Sequence, residues 1–561
     1  MTAVGRKVVV VGASAAGLRC AARLTRLRPE WTIQVVEARE AYSYGACGMP
    51  YVLSGDIEDA SELRRSSYGA LRDDAFFREC KGLSILARHR ATGVDLSQHT
   101  LLIEGPHGRS TLEWDELVLA TGARARCLPG QPEDPRIRTF HLLDDLGPIK
   151  ERLARGQLER AIIVGAGLVG CELAEALHSL WGVELVLVEA AKTPLPGMLD
   201  ENVAAIAAHQ LREAGVDLRL GAGVERFVCK EEVGVVVAGE LLLAQLVLVA
   251  VGAEPASELA KQAGAALSDS GAILVDERLA TSQEHLWAVG DCIALQHAVS
   301  GQPCHYPLGS LANRQGRLLA DILAGRDLSF PPVTGAMAVK LFDWNVAAVG
   351  LTRSRARHEG LDARSAWITT EQQAHYWPET PNLYLELVYQ PRTRRVLGVQ
   401  VITQGNACAP IDQAAAYIAH GATIDELAAL EHAYAPPFAP ALDPLAVAAF
   451  VAANQEEGVE ATAPIASASV DGVLDLRLPK ERARQAAPAR RLLERELASA
   501  RSGWRPEDGE RWTALCAHGT RSAEFVRYLG GSDSGVRYLG GGLSWRRAAG
   551  MAEIPLDGDL P

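Results

Sequence analysis

The sequence predicts an α/β chain, because one strand–glycine turn–helix–strand unit occurs in it twice and a cysteine loop lies between the copies. The first copy opens on the apolar run Lys7–Val11, turns through Gly12-Ala-Ser14-Ala15-Ala-Gly17 and continues as an Ala/Leu/Arg-rich helix. It closes on a strand ending Val35-Val36-Glu37. The second repeats the design with Ala161–Val164, Gly165-Ala-Gly167-Leu-Val-Gly170, a helix, and Val183–Val188 followed by Glu189. A strand, a tight glycine turn and a helix N-terminus direct backbone N–H groups and a positive dipole end at a pyrophosphate. An acid about 20 residues further on accepts ribose hydroxyls, and Glu37 and Glu189 fit that spacing. With Cys47 in the loop Tyr44-Gly-Ala-Cys-Gly-Met-Pro-Tyr51 between them, the two units imply electrons passing from one dinucleotide through another to sulfur.

The 561 residues suggest roughly three to five domains. The net charge of −13, with no basic block to offset it, argues against nucleic acid as a partner. No run of about 18 uncharged apolar residues suggests a membrane span, and Val8–Val11, interrupted by Gly12, reads as a buried strand rather than a leader. A cytoplasmic protein is expected. The 10 cysteines are scattered without C-x-x-C pairs or His/Cys metal spacing, so neither a disulfide framework nor a metal site is expected. Cys20 and Cys171, on the helices after the two turns, read as packing; Cys47 and Cys516 do not.

In chain order, the first unit takes residues 1–118 and, after an insertion, 246–330. The inserted second unit takes 119–245. Trp114–Ala123 reads as a strand ending in a turn, Leu246–Gly252 as the return to the first domain, and His285–Cys292 as a further element of it. From 331 to 453, β-like runs such as Leu383–Tyr389 and Val396–Val401 mix with Ala-rich helices, an α+β pattern. Residues 454–469 lack periodicity and read as a flexible linker. Residues 470–561, opening with Gly472–Arg477, form a last small α/β unit.

The Gly12–Gly17 turn with Glu37, Ala120-Thr-Gly122, the Gly165–Gly170 turn and Ala288-Val-Gly-Asp291 together resemble the glutathione-reductase-type flavoproteins. Lone Cys47 before Gly48-Met-Pro-Tyr51, Pro307–Gly316 and Tyr434-Ala-Pro-Pro-Phe438 resemble the coenzyme A disulfide reductase and NAD(P)H-dependent persulfide reductase branch. The resemblance covers residues 5–450 and implies two Rossmann-like domains, one inserted in the other, an α+β dimerisation domain, and a homodimer. It implies that cofactor contacts come from Gly12, Ser14, Ala15, Gly17, Glu37, Ala120, Thr121, Gly122, Gly165, Gly167, Gly170, Glu172, Glu189, Gly252, Asp291 and Pro307. FAD would occupy the first turn, with Asp291 on its ribityl chain, and NADH the second. Glu189 disfavours a 2′-phosphate, while Lys192 leaves NADPH open.

The same resemblance places Cys47 near the flavin at a helix N-terminus, where the dipole is expected to lower its pKa. With no second cysteine in the redox loop, Cys47 would form a mixed disulfide or persulfide with an exogenous partner, or a sulfenate. Coenzyme A is the implied ligand or substrate part, with Arg19, Arg23, Arg26, Ser43 and Asn313 as implied contacts. Ala46 stands where family members often carry Asn. Tyr376 and Tyr434 match tyrosines that reach the sulfur site from the other subunit and assist the leaving thiolate.

Cys516-Ala-His-Gly519-Thr-Arg521-Ser522 resembles the loop of rhodanese sulfurtransferases, which wraps backbone N–H groups around sulfur. Asp475, Arg477 and Gly541-Gly-Leu-Ser-Trp545 match the flanks of that fold, although the stretch between Arg477 and Leu515 lacks its Gly-His-Ile and Ala-x-x-Ile-Pro signatures. The implied function is NADH-dependent reduction of persulfide, polysulfide or coenzyme A disulfide by a flavoenzyme. Its sulfur would come from a small molecule or a protein persulfide donor. The alternatives are an NADH oxidase or peroxidase using a Cys47 sulfenate, and a non-enzymatic sulfur carrier or sensor.

Overall fold

The computed structural model describes residues 5–467, 471–484, 492–551 and 554. The first sheet is wholly parallel, in the order Leu286–Ala288, Glu116–Leu119, Lys7–Val11, Thr32–Val36, Ser84–Leu86. Val8 and Val10 are fully buried and Val9 nearly so, because helices cover both faces of such a sheet. The helix Ala15–Leu27 crosses Gly309–Leu323 so closely that a Cβ on Gly316 would lie 2.2 Å from the Ala16 carbonyl oxygen.

The second sheet repeats the first: Asp217–Leu220, Glu184–Glu189, Arg160–Val164, Leu246–Val249, Ile137–Thr139, again parallel. Each unit also carries a three-stranded antiparallel meander, Arg90–Asp95 to Gly108–Glu113 in one and Val224–Cys229 to Glu240–Ala244 in the other. The duplication therefore runs deeper than the two glycine turns. It also corrects the expected boundary at 246. Leu246–Val249 pairs with Arg160–Val164 and belongs to the second unit, as Glu116–Leu119 belongs to the first. The chain crosses back one step later, where Ala253–Pro255 pairs with Ala123–Ala125.

The third unit is an antiparallel sheet ordered Met337–Leu341, Trp344–Gly350, Val396–Thr403, Asn382–Tyr389, Arg364–Glu371, packed on helices that include Cys408–Ala419 and Pro444–Glu456. The fourth is a parallel sheet of Ala461–Thr462, Val536–Leu539, Trp512–Leu515, Gly472–Asp475 and Leu492–Glu494.

Residues 454–467 are not a free tether. They finish the helix Pro444–Glu456 and supply the strand Ala461–Thr462, while Arg546 Nη1 donates to the Pro464 and Ala466 carbonyls at 3.1 and 2.9 Å. Residues 468–469 lie outside the described residues. The C-terminal unit is further fastened by Trp545 Nε1 donating to Asn202 O (3.0 Å) and Thr369 Oγ1 donating to Gly541 O (2.7 Å). The flexible linker expected over 454–469 is therefore replaced, in its described part, by a docked segment.

Candidate functional site

The two glycine turns show which positions the backbone dictates. Gly12 and Gly165 have φ of +111° and +105°, and a Cβ there would lie 2.1 Å from Ala120 O and 2.4 Å from Ala250 O. A Cβ on Gly17 or Gly170 would strike the carbonyl oxygen of Gly12 or Gly165 at 2.0 and 1.8 Å. Only glycine satisfies these four positions. The middle position differs: a Cβ on Gly167 meets nothing within 4 Å, and Ser14 sits there with an ordinary φ of −107°. Ser14 therefore costs the first turn nothing sterically.

Glu37 and Glu189 lock the turns in the same way. Ala13 N–H donates to Glu37 Oε2 at 2.9 Å and Ala166 N–H to Glu189 Oε2 at 2.8 Å; the other oxygens accept from Arg39 N–H and Ala191 N–H. Each carboxylate keeps lone pairs for ribose hydroxyls. Ala120-Thr121-Gly122 follows the strand beside the first turn, with Thr121 Oγ1 donating to Ala256 O at 2.5 Å. Gly252, at φ +101°, occupies the corresponding place in the second unit. Asp291 follows Gly290, whose N–H donates to buried Gln315 Oε1 at 2.6 Å, a link the sequence did not signal. His305 Nε2 lies 2.7 Å from Asp291 O, tying Asp291 to the segment carrying Pro307.

Cys47 occupies a 3₁₀ turn, Ala46–Gly48, that leads into the short helix Met49–Leu53. Ser43 N–H donates to Ala13 O at 3.0 Å, fixing this loop to the first glycine turn. The short helix packs on Leu168–Ser179 of the second unit, and Trp181 Nε1 donates to Leu53 O at 2.7 Å. Cys47 thus sits where the two units meet, reached by solvent yet hemmed in by protein. Burial pushes its thiol up, and the Glu172 and Asp291 carboxylates add to that. The expected lowering by a helix dipole does not hold, because a five-residue helix offers little dipole against two acids. Glu172 is itself raised to about 7 by burial and by Glu175, while the Tyr51 hydroxyl favours its charged form. Tyr51 and Gln315 lie inside two stretches that the sequence singled out, Gly48-Met-Pro-Tyr51 and Pro307–Gly316, but neither was given a role there.

The structure separates the proposed coenzyme A contacts. Arg23 is tied by Nε and Nη2 to both Asp321 oxygens at 2.7 Å, so it braces two helices and presents no free charge. Arg19 and Arg26 are exposed, Ser43 is buried, and Asn313 Nδ2 donates to Gly309 O within its own helix. Tyr376 and Tyr434 come together from 58 residues apart, their hydroxyls 3.3 Å from one another on an exposed surface of the third unit.

Cys516, 1 % exposed, ends the strand Trp512–Leu515 and accepts from Gly519 N–H at 3.2 Å, with Ser522 Oγ 3.6 Å away. Gly519 has φ +95°, which curls the loop over the sulfur. Leu543 N–H and Ser544 N–H hold the loop through Cys516 O and Ala517 O at 3.0 and 2.9 Å. Arg521 donates to both oxygens of Glu481 at 2.7 and 2.6 Å.

Two duplicated nucleotide cradles meeting at one thiol define a dinucleotide-dependent oxidoreductase. Residues 6–315 match the pyridine nucleotide-disulphide oxidoreductase family and 336–446 the dimerisation domain of that family. The chain belongs to this family and is an enzyme. It is 35% identical over 457 residues, 80% of its length and 98% of the relative's, to the NAD(P)H coenzyme A polysulfide/persulfide reductase of Pyrococcus horikoshii. The solved structure of a NAD-dependent persulfide reductase from A. fulgidus aligns with a TM-score of 0.91 at 35% identity, over 96% of this chain and 99% of that one. Reduced CoADR-RHD from Bacillus anthracis aligns at 0.88 and 27% identity, over 97% and 98%.

FAD and NAD(P)H are the cofactors, and both glycine turns fit them: uncluttered N–H groups at a helix start, with no side chain at the dictated positions. FAD, when bound, would supply the acceptor for a hydride from NAD(P)H. Among the described residues no helix is long and apolar enough to cross a membrane.

Proposed function

We propose that this enzyme reduces persulfides, polysulfides or a coenzyme A disulfide with NADH through Cys47, and that its C-terminal unit is a rhodanese-like sulfur carrier centred on Cys516. The observation that carries the reading is a free, exposed thiol at the junction of the two nucleotide units, with no second cysteine in its loop Tyr44–Tyr51. Cys47 must then bond to sulfur brought from outside. The likeness to the A. fulgidus and B. anthracis structures over almost the whole chain supports including the C-terminal unit, as does the N–H-lined loop around Cys516. The tyrosine pair on the dimerisation domain is suited to protonating a leaving thiolate across a homodimer. NADH consumption tests the reading, compared anaerobically with persulfide, coenzyme A disulfide and peroxide and, in a separate arm, with oxygen admitted. Faster turnover with peroxide or oxygen than with any sulfur compound would make the enzyme an oxidase or peroxidase.

Two outcomes follow for individual residues. NADH should show the higher kcat/KM of the two nucleotides, because Glu189 faces the ribose and repels a 2′-phosphate; a preference for NADPH would mean that Lys192 prevails. Cys516→Ser should slow turnover with bulky or protein-borne sulfane donors and spare small ones that reach Cys47 directly. Equal rates with every donor would take the C-terminal unit off the catalytic route.

A further inference from the structure

We infer that Glu481 is a specificity-determining residue of the C-terminal sulfur site: it cancels the charge of Arg521, so that Cys516 takes sulfur from organic persulfides and rejects the dianion thiosulfate. The inference rests on the sulfurtransferase reading of this unit and says which donors that site admits.

Arg521 is the cation of the Cys516 loop, and in such a loop a free guanidinium would attract a dianionic donor. Here both its terminal nitrogens are engaged by the two Glu481 oxygens at 2.7 and 2.6 Å. The acid is itself fixed: it lies in the first turn of the helix Pro479–Arg484, and its Oε2 also accepts from Leu478 N–H at 2.8 Å. Arg521 holds the Glu481 carboxyl down at about 2, so the pair stays ionised across the neutral range.

Among the described residues, two neighbouring cations are likewise paired. Arg477 is bound to Asp475 at 2.8 Å and Arg482 pairs with Glu494 at 3.3 Å. Burial holds His518, inside the loop, toward its neutral form. The carboxylate that faces His518 from the adjoining sheet, Glu371, adds a further negative charge. Glu371 ends the strand whose Thr369 bonds to Gly541 O and whose Trp367 would meet a Cβ on Gly540 at 3.0 Å. Among the described residues, Arg521, Glu481, neutral His518 and Glu371 thus leave the surroundings of the Cys516 loop net negative.

The transfer itself requires no cation beside the donor. The Cys516 thiolate attacks the outer sulfur of R–S–SH; a bond forms from Sγ to that sulfur, the R–S bond to it breaks, and R–S⁻ leaves to take a proton from water. The sulfane sulfur changes owner without net oxidation or reduction. Gly519 N–H, 3.2 Å from Sγ, stays available to the sulfur throughout. With thiosulfate the leaving group would be sulfite, and two negative charges would have to enter a negative mouth.

The test uses the full-length enzyme and peptide mass spectrometry of the Cys516 persulfide after timed exposure to cysteamine persulfide, whose ammonium offsets its persulfide charge, or to thiosulfate. In the parent, cysteamine persulfide should load Cys516 and thiosulfate should load it at least about tenfold more slowly. Glu481→Gln should speed thiosulfate loading by about tenfold and change persulfide loading much less. Persulfide loading of the variant doubles as the check that its loop is intact. A measurement free of any substitution is the salt dependence: added KCl should speed thiosulfate loading of the parent, since screening weakens a repulsion. Equal loading by the two donors, or thiosulfate loading that falls with salt, would overturn the inference while leaving the sulfurtransferase reading intact. Failure of both donors to load Cys516 would overturn that reading, and the inference with it.

Discussion

Cys47→Ser is expected to bind FAD and NADH as the parent does and to lose reduction of sulfur substrates by roughly a thousandfold or more. A serine hydroxyl neither ionises near neutrality nor exchanges with sulfur. The substitution is small and the site is open to solvent, so the loss would report chemistry and not collapse. Flavin reduction by NADH, read in the visible spectrum, should survive it. Retention of most persulfide reduction would move the redox role away from this thiol. The structure also sets the pH behaviour. Burial, Glu172 and Asp291 hold the Cys47 thiol above its ordinary value, so the reactive thiolate fraction grows about tenfold per pH unit below that point. Alkylation of Cys47 by iodoacetamide, followed by peptide mass spectrometry, should therefore accelerate steadily from pH 7 to 9. A rate already level at pH 7 would show that a lowered thiol had been the better expectation.

What the sequence made legible is what the backbone dictates locally. Gly12, Gly17, Gly165 and Gly170 are forced by positive φ or by carbonyl oxygens 1.8–2.4 Å from a hypothetical Cβ, and such constraints leave a spaced pattern. Glu37 and Glu189 follow at a fixed interval because each closes its own turn. The expected boundary at residue 246 was misplaced because an apolar parallel strand looks the same in either sheet; only pairing decides that Leu246–Val249 lies beside Arg160–Val164. The place of Ala120-Thr-Gly122 in the first unit was the available clue, since Ala250-Val-Gly252 repeats it.

Charge was less legible than backbone, for the same reason. Arg23 looked free on its helix face, and its partner Asp321 lies 298 residues away. Glu481 reaches Arg521 across 40 residues, and Cys47 receives its acids from Glu172 and Asp291 in two other segments. A motif records the residues that hold a site, while the sign of its field is written by whatever folds against it. The linker was misread on composition: Glu, Ala, Thr and Ser without periodicity can still continue a helix and add an edge strand when a neighbouring unit supplies the pairing.

Glu386→Gln is expected to stabilise the enzyme at pH 8 and leave it nearly unchanged at pH 5. Glu386 lies in the middle of the five-stranded sheet, directly opposite Trp367 on one strand and Gln400 on the other, and is 0 % exposed. Burial raises its carboxyl to about 7, with Asp200 adding to the effect, while Ser365, Arg353 and Trp367 oppose it less strongly. Asp200 is fixed nearby, accepting from Gln400 Nε2 at 2.8 Å and from the Arg353 and Ser354 N–H groups at 2.6 and 3.1 Å. In the unfolded chain this carboxyl ionises near 4.5, whereas in the fold it stays protonated to about 7. Between those values unfolding releases a proton, so stability falls as pH rises and levels off above about 7. The difference corresponds to about 3 kcal/mol at pH 8. Glutamine keeps the shape and cannot ionise, so its melting midpoint should exceed the parent's at pH 8, with the gap closing by pH 5. The parallel readout is the tie between sheet and nucleotide unit, since Gln400 bonds Asp200, the N-cap of the helix Glu201–Glu213, whose Asn202 O accepts from Trp545 of the C-terminal unit. Melting curves of the holoenzyme at the two pH values decide the matter: equal midpoints for variant and parent at pH 8 would mean that Glu386 finds compensation for its charge within the fold.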